Sequence, residues 1–198
     1  MIAIALRHLR LPALTVAACA LLAAGCAQLP SAANTAAVAR QAHAHFDLEG
    51  RISATDGERA ASGQIEWRHT PSTDLWTAFS PLGQIVARLD SHDGGAELVL
   101  SDGTRRRASH ADRLLPALIG VDVPLTRLPV WVQAAPRHDA EVRTLDPYGR
   151  PALVIDQGWR IDYTEYADTT AGALPRRIEI SRGDARIKIV IDQWTLQP

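Results

Sequence analysis

Few side chains in this sequence are of a type and spacing that could do chemistry. His43 and His45 stand two apart, which on a strand puts both imidazoles on one face, as a pair of metal ligands requires. No third ligand lies at a telling spacing, so they read first as solvated histidines beside an N-terminal tether, and no metal is expected. Asp90, His92 and Asp93 cluster beside Gly94-Gly95 and read as turn-forming groups before catalytic ones. Arg105-Arg106-Arg107 is a solvated face on the bland reading and a contact for anionic head groups or an acidic partner on the sharper one. There is no Gly-rich phosphate loop, nucleophile elbow or His-Glu-x-x-His pattern, and no pair of carboxylates stands out for acid–base work. Both cysteines, Cys19 and Cys26, lie near the start, so the rest of the chain can build no thiol nucleophile or redox pair. An enzyme reading has no residues to rest on, and no cofactor is expected.

Composition narrows the class further. The 198 residues are 46% hydrophobic and 22% charged, enough apolar content for one core and too much for a disordered tail. With 21 Lys+Arg against 22 Asp+Glu, the charge of −1 argues against a nucleic-acid binder, which needs a strongly basic face.

The N-terminus reads as an address. Met1–Arg10 carries Arg7, His8 and Arg10 and no acid, Leu11–Ala24 is almost wholly apolar, and Gly25-Cys26 follows. A basic start, an apolar run and small residues before a cut are the parts of a secretory signal, and the run is too short to span a bilayer comfortably. Ala23-Ala24-Gly25-Cys26 resembles the lipobox of bacterial lipoproteins, without the usual Leu three residues before the Cys; Val16-Ala17-Ala18-Cys19 is a second, poorer match. Residues 1–25 then form the signal, 26–42 the lipidated Cys and a tether with a helical turn near Ala36–Ala42, and 43–198 the functional domain. Removing residues 1–25 takes two arginines and no acid, leaving 19 bases against 22 acids and a charge of −3. At about 0.8 kcal/mol per buried methylene, three acyl chains would hold the chain in a membrane for good. Ala27 after the Cys, by resemblance to other lipoproteins, favours the outer membrane facing the periplasm.

From His43 the apolar residues fall into period two, the pattern of antiparallel strands with one buried face. The expected inward sets are Phe46/Leu48/Gly50/Ile52, Ile65/Trp67, Leu75/Thr77/Phe79, Ile85/Ala87/Leu89 and Ala96/Leu98/Leu100, with a short sixth strand near Thr104–Ala108. After Pro136 come Val142/Leu145, Leu153/Ile155, Trp159/Ile161/Tyr163, Ile178/Ile180 and Ile187/Ile189/Ile191. Between the two groups the period becomes 3.6. Ser109 and Asp112 resemble a capping box ahead of Leu114/Leu115/Leu118/Ile119, which Gly120 ends. Pro124 opens a second stripe, Leu125/Leu128/Trp131/Val132, in which Pro129 would introduce a kink. Eleven strands and two short helices fit a mainly β, α+β fold: a strongly curved antiparallel sheet whose concave apolar side the helices plug. Such a sheet either leaves an apolar hollow or packs closed, and the pattern leaves both open.

One segment breaks the turn rules. Ser80-Pro81-Leu82-Gly83 joins two strands with ordinary turn residues except Leu82, since loop tips favour polar side chains. Leu82 either folds back onto its own sheet or faces an apolar partner.

Taken in order, these motifs resemble the LolB family of outer-membrane lipoprotein receptors. The matching residues are Cys26, Phe46-x-Leu48-x-Gly50-Arg51, Gly63-x-Ile65-x-Trp67, Ser80-Pro81-Leu82-Gly83, Leu114-Leu115-x3-Ile119-Gly120 and Pro124-Leu125-x2-Leu128-x2-Trp131. Gln157-Gly158-Trp159-x-Ile161-x-Tyr163, Leu174-Pro175 and Ile187-x-Ile189-x-Ile191-x2-Trp194 complete the set, and Ala134 departs from it where the family often has Gly. The resemblance implies an unclosed eleven-stranded barrel with helices inside and an apolar cavity. It implies a monomer that accepts acylated lipoprotein cargo from the periplasmic carrier LolA and releases it into the inner leaflet of the outer membrane. Pro81, Leu82 and Gly83 would form the membrane-contacting loop. Trp67, Phe79, Trp131, Trp159 and Ile187 are the residues expected to line the acyl-chain cavity, since rings and branched chains supply apolar area without polar demands. The alternative is a lipid-anchored envelope assembly module with a filled core, no acyl-chain binding and an exposed sheet edge for a partner. An envelope hydrolase is a third, weaker reading.

Overall fold

A computed structural model describes residues 37–197; Cys19, Cys26, the signal and the first part of the tether lie outside the described residues. Eleven strands form one antiparallel sheet in the order β6-β5-β4-β3-β2-β1-β11-β10-β9-β8-β7. They are β1 Phe46–Thr55, β2 Ala60–His69, β3 Thr73–Phe79, β4 Ile85–His92, β5 Gly95–Leu100 and β6 Arg105–Ala108, then β7 Glu141–Leu145, β8 Pro151–Asp156, β9 Trp159–Tyr166, β10 Pro175–Arg182 and β11 Ala185–Leu196. The first and last strands pair at the centre, through a register that runs from Phe46↔Leu196 to Thr55↔Arg186. β6 and β7 are left as unpaired edges, so the barrel does not close.

Because β6 and β7 lie at opposite edges, the chain between them must cross the concave face. That crossing holds a 3-10 turn at Ala111–Arg113, α1 at Leu115–Ile119 and α2 at Leu128–Val132. Its Leu114, Leu115, Ile119, Val121, Val123, Leu125, Leu128, Trp131 and Val132 are all buried in one core with the inward residues of the strands. The expected capping box is not formed: His110 occupies the cap without a side-chain bond, and Asp112 instead accepts from the backbone N–H of Leu125 at 2.7 Å. Asp112 thus ties the 3-10 turn to the segment just before α2. Pro129 does not kink a helix; it lies in the first turn of α2, where its missing N–H has no acceptor to satisfy. The described part of the tether, from residue 37, forms no helix before β1.

Most strands face as their alternation suggests, and three do not. On β3, Trp76 is inward and Leu75, Thr77 and Phe79 are outward. The strand has apolar groups at both parities, and Trp76 decides because it stacks on Trp67 directly opposite, ring centroids 4.2 Å apart. On β8, Val154 and Asp156 are buried rather than Leu153 and Ile155, and on the edge strand β7 Val142 is 39% exposed. Ile85 is outward too, because a register shift beside Phe79 displaces the start of β4, while Ala87 and Leu89 stay inward.

Two backbone positions explain motif glycines and one departure from them. At Gly50, beside a register shift between β1 and β11, an added Cβ would lie 2.4 Å from the Val190 carbonyl oxygen, so no other residue fits without moving backbone. Ala134, fully buried after α2, has φ +50, in the left-handed region that glycine adopts freely. Ala134→Gly relieves about 1–2 kcal/mol of that conformation but loses a buried methyl and adds unfolded-chain freedom, leaving stability within about 1 kcal/mol of the parent. Ala134→Val adds β-branching at positive φ and is expected to cost more than about 2 kcal/mol by urea denaturation.

Candidate functional site

The β3–β4 hairpin builds its own tip. Ser80 accepts at its carbonyl from Gly83 N–H at 2.9 Å, and donates its own N–H to the Gln84 carbonyl at 2.8 Å. The Ser80 hydroxyl oxygen accepts from Leu82 and Gln84, both at 3.3 Å. Pro81 fixes one backbone angle and Gly83 takes φ +80, so the loop is closed with no help from the Leu82 side chain. Leu82 does not fold back onto the sheet: it is 88% exposed. Ile85 and Val86 beside it are exposed at 48% and 39%, which extends the apolar tip beyond the residues the sequence marks. The signal for Ile85 was its parity, which the register shift reverses.

The residues expected to line a hollow are brought into one cluster, with one exception. Trp67, Trp131, Trp159 and Ile187 are each no more than 1% exposed and belong to the same core. Trp67 packs edge-on against Phe46 at 5.0 Å and stacks on Trp76, while Trp131 lies 6.0 Å from Trp159 on the other side of the interior. Phe79 is not among them: it sits opposite Gln64 on the convex face, because Trp76 takes the inward parity of β3. Burial this complete leaves no void of acyl-chain width against these four side chains. In the conformation described, the plug fills the concave side around these four side chains, and a cleft of about 550 Å³ remains at its edge, between Ala111, Leu125, Pro129 and Val130 of the crossing and His69, Asp74 and Ser91 of the sheet.

The plug is held to the sheet by a few polar contacts beside its apolar ones. Trp131 Nε1 donates to Asp156 Oδ2 at 2.7 Å, and the hydroxyl of buried Tyr163 donates to the Trp131 carbonyl at 2.8 Å. Burial pushes the Tyr163 phenol well above its ordinary range, so it stays a donor. Arg127, just before α2, makes two hydrogen bonds to Asp139, at 3.0 and 2.7 Å, and lies 3.5 Å from Asp156. Those bonds hold the Asp139 carboxyl down at about 2.

The opposite rim of the sheet holds the start of the described chain. Gln133, buried at the end of α2, accepts from His43 N–H at 2.8 Å and donates to the His43 carbonyl at 3.1 Å. Arg40 donates to the carbonyls of Ala171, Ala173 and Gln133, and Val38 N–H to Gly149. His43 is therefore part of a clasp between tether and plug, and His92 accepts from Gly94 N–H at 3.0 Å within its own turn. Arg105 and Arg107 both pair with Glu97 on the neighbouring strand, so two of the three consecutive arginines serve the sheet edge.

An open eleven-stranded sheet with an internal helical plug and an apolar hairpin tip frames the comparisons. A family model described as outer membrane lipoprotein LolB matches residues 44–194. A LolB from Azoarcus sp. (strain BH72) is 56% identical over 186 residues, covering 94% of this chain and 95% of that protein. The chain belongs to the LolB family. A LolB from Thiobacillus denitrificans is 36% identical over 154 residues (77% of this chain, 81% of its own), and one from Alkalilimnicola ehrlichii is 35% identical over 188 residues (90% and 94%). Among solved structures, a LolA superfamily protein from Nitrosomonas europaea aligns with a TM-score of 0.48 at 9% identity, over 81% of this chain and 89% of that one. As a LolB, the protein is an outer-membrane lipoprotein with a role in lipoprotein localization.

Two variants test the hold on the plug. Trp131→Phe removes the donor to buried Asp156 together with part of the buried indole, and should cost at least about 1.5–3 kcal/mol in urea denaturation. The Arg127–Asp139 contribution is present above the ordinary carboxylate value of 3.8 and is lost as pH falls through about 2. Asp139→Asn should therefore flatten the decline of melting temperature across that window and leave its slope above pH 5 unchanged.

Proposed function

We propose that this chain, acylated at Cys26 after removal of residues 1–25, receives lipoproteins from the periplasmic carrier LolA and inserts them into the inner leaflet of the outer membrane. The observation that carries this reading is the hairpin tip: Leu82 is 88% exposed on a turn that closes without it. A large apolar side chain held rigidly in water calls for an apolar partner. Burying Leu82 in lipid contributes about 1.5–3 kcal/mol, far short of an anchor but enough to orient the domain at the surface. Pro81, Ile85 and Val86 widen the contact.

Acyl chains pass through the receptor only if the plug yields. A chain of about 15 methylenes gains about 12 kcal/mol on leaving water, which is comparable with the cost of displacing several side chains worth about 1.5–3 kcal/mol each. Trp67, Trp131, Trp159 and Ile187 would then line the space vacated, with the carrier handing over the chains so that they never meet water. The closed interior and the free edges of β6 and β7 favour a second reading, an assembly module that binds a partner strand and no acyl chains.

A transfer assay separates them. Carrier-held lipoprotein is mixed with the protein in phospholipid vesicles, and cargo is followed from carrier to receptor to bilayer. Leu82→Glu should accept cargo as the parent does and deliver it at least tenfold more slowly, the lower end of the loss of about 1.5–3 kcal/mol. Unchanged delivery would refute the role of the tip; no acceptance by the parent protein would refute the receptor and leave the assembly module.

A further inference from the structure

Two buried polar atoms, on residues directly opposite each other in the β8–β9 hairpin, have no partner among the described residues. Asp156 and Trp159 are paired directly across the turn and are 1% and 0% exposed. Asp156 Oδ2 takes the Trp131 indole, but Oδ1 accepts nothing, and Trp159 Nε1 donates to nothing. Side chains directly opposite on antiparallel strands have Cβ atoms about 4.5–5.5 Å apart, so one small group can reach both atoms. A native core seldom leaves a donor and an acceptor unmet side by side, because each costs about 1–3 kcal/mol. The indole of Trp76 is also unpartnered but stands alone, stacked on Trp67 with no free acceptor opposite.

From this arrangement, and resting on the receptor reading above, we infer that Asp156 and Trp159 form a subsite for the secondary amide of an N-acylated cysteine, the polar joint of a triacylated lipoprotein. The amide N–H donates to Asp156 Oδ1, and its carbonyl oxygen accepts from Trp159 Nε1. A free fatty acid or a simple ester offers no N–H and satisfies only half of the pair. Position supports this chemistry. Strand direction places the β8–β9 turn on the same rim as the Leu82 hairpin, so an amide held there lies where acyl tails would leave for lipid. On that rim the exposed Arg182 guanidinium sits 4.4 Å over the Trp159 ring, a flexible cover rather than a wall. Arg127, 3.5 Å from Asp156, balances the carboxylate while the site is empty.

The experiment uses the mature lipidated protein in phospholipid nanodiscs with two probes, a tripalmitoyl-S-glycerylcysteinyl peptide and hexadecane, which offers neither donor nor acceptor. Trp159→Phe keeps an aromatic ring and removes the donor. Its uptake of lipopeptide relative to hexadecane should fall roughly five- to tenfold, the effect of one lost buried hydrogen bond, while Trp76→Phe leaves the ratio unchanged. In the parent protein labelled with 15N at the indoles, the Trp159 resonance should move with lipopeptide and not with hexadecane, a readout that needs no variant to fold. An unchanged ratio in Trp159→Phe, an equal fall in Trp76→Phe, or a Trp159 resonance that ignores the lipopeptide overturns the subsite while leaving the receptor intact. A bound-state crystal structure with only an ordered water between the two atoms does the same. Uptake of neither probe by the parent protein overturns the receptor reading, and the subsite with it.

Discussion

An antiparallel sheet that stops short of closing has one apolar concavity and two free edges, and this chain manages both with a single crossing. The segment between β6 and β7 must traverse the concave face because its ends belong to opposite edges. Its side chains therefore become the other half of the core. The hold is mostly apolar, supplemented by Trp131–Asp156, Tyr163–Trp131 and the Gln133 clasp. Apolar contacts are non-directional, so the same side chains can be replaced by another apolar body of similar volume, whereas a polar ladder could not. That asymmetry would let a filled interior yield to an apolar ligand.

The two rims are built for different work. One carries the clasp in which Arg40 and Gln133 secure the start of the described chain, with backbone carbonyls from three separate loops taking part. The other carries the Leu82 hairpin, whose tip is shaped by the Ser80 hydroxyl, Pro81, Gly83 and backbone hydrogen bonds. A tip that depended on packing for its shape would have to lose that packing to meet a membrane; this one keeps its hydrogen bonds and offers only side chains.

Much of this was legible in the sequence, and the failures have specific causes. Alternation located all eleven strands because most carry apolar residues at one parity only. It misread β3 and β8, where both parities are apolar and the choice is made by tertiary contacts: Trp76 needs Trp67 on the neighbouring strand, and Asp156 needs Trp131 on the plug. Phe79 fell with β3. The Ser109/Asp112 pair had the spacing of a cap, but tertiary competition won, since Asp112 gains more from an N–H thirteen residues away that would otherwise be buried unmet. That Leu82 violates turn chemistry was legible, though whether it folds back or points out was not; the exposure of Ile85 and Val86 was not legible at all, since it follows from a register shift that composition does not announce.

On the proposed receptor reading, affinity for acyl chains must rise from carrier to receptor to bilayer, so the receptor must bind well and still let go. A permanently open greasy cavity would satisfy the first demand and oppose the second. A plugged one meets both, because the plug competes with the cargo for the same apolar surface and lowers the net gain by whatever its own burial is worth. With Leu128, Trp131 and Val132 each contributing about 1.5–3 kcal/mol to the closed state, the receptor retains several kcal/mol less than the full transfer energy of a chain. The bilayer imposes no such competitor. On that reading the closed interior would be the means by which the last step runs downhill, and Leu82 would set the mouth beside lipid rather than water.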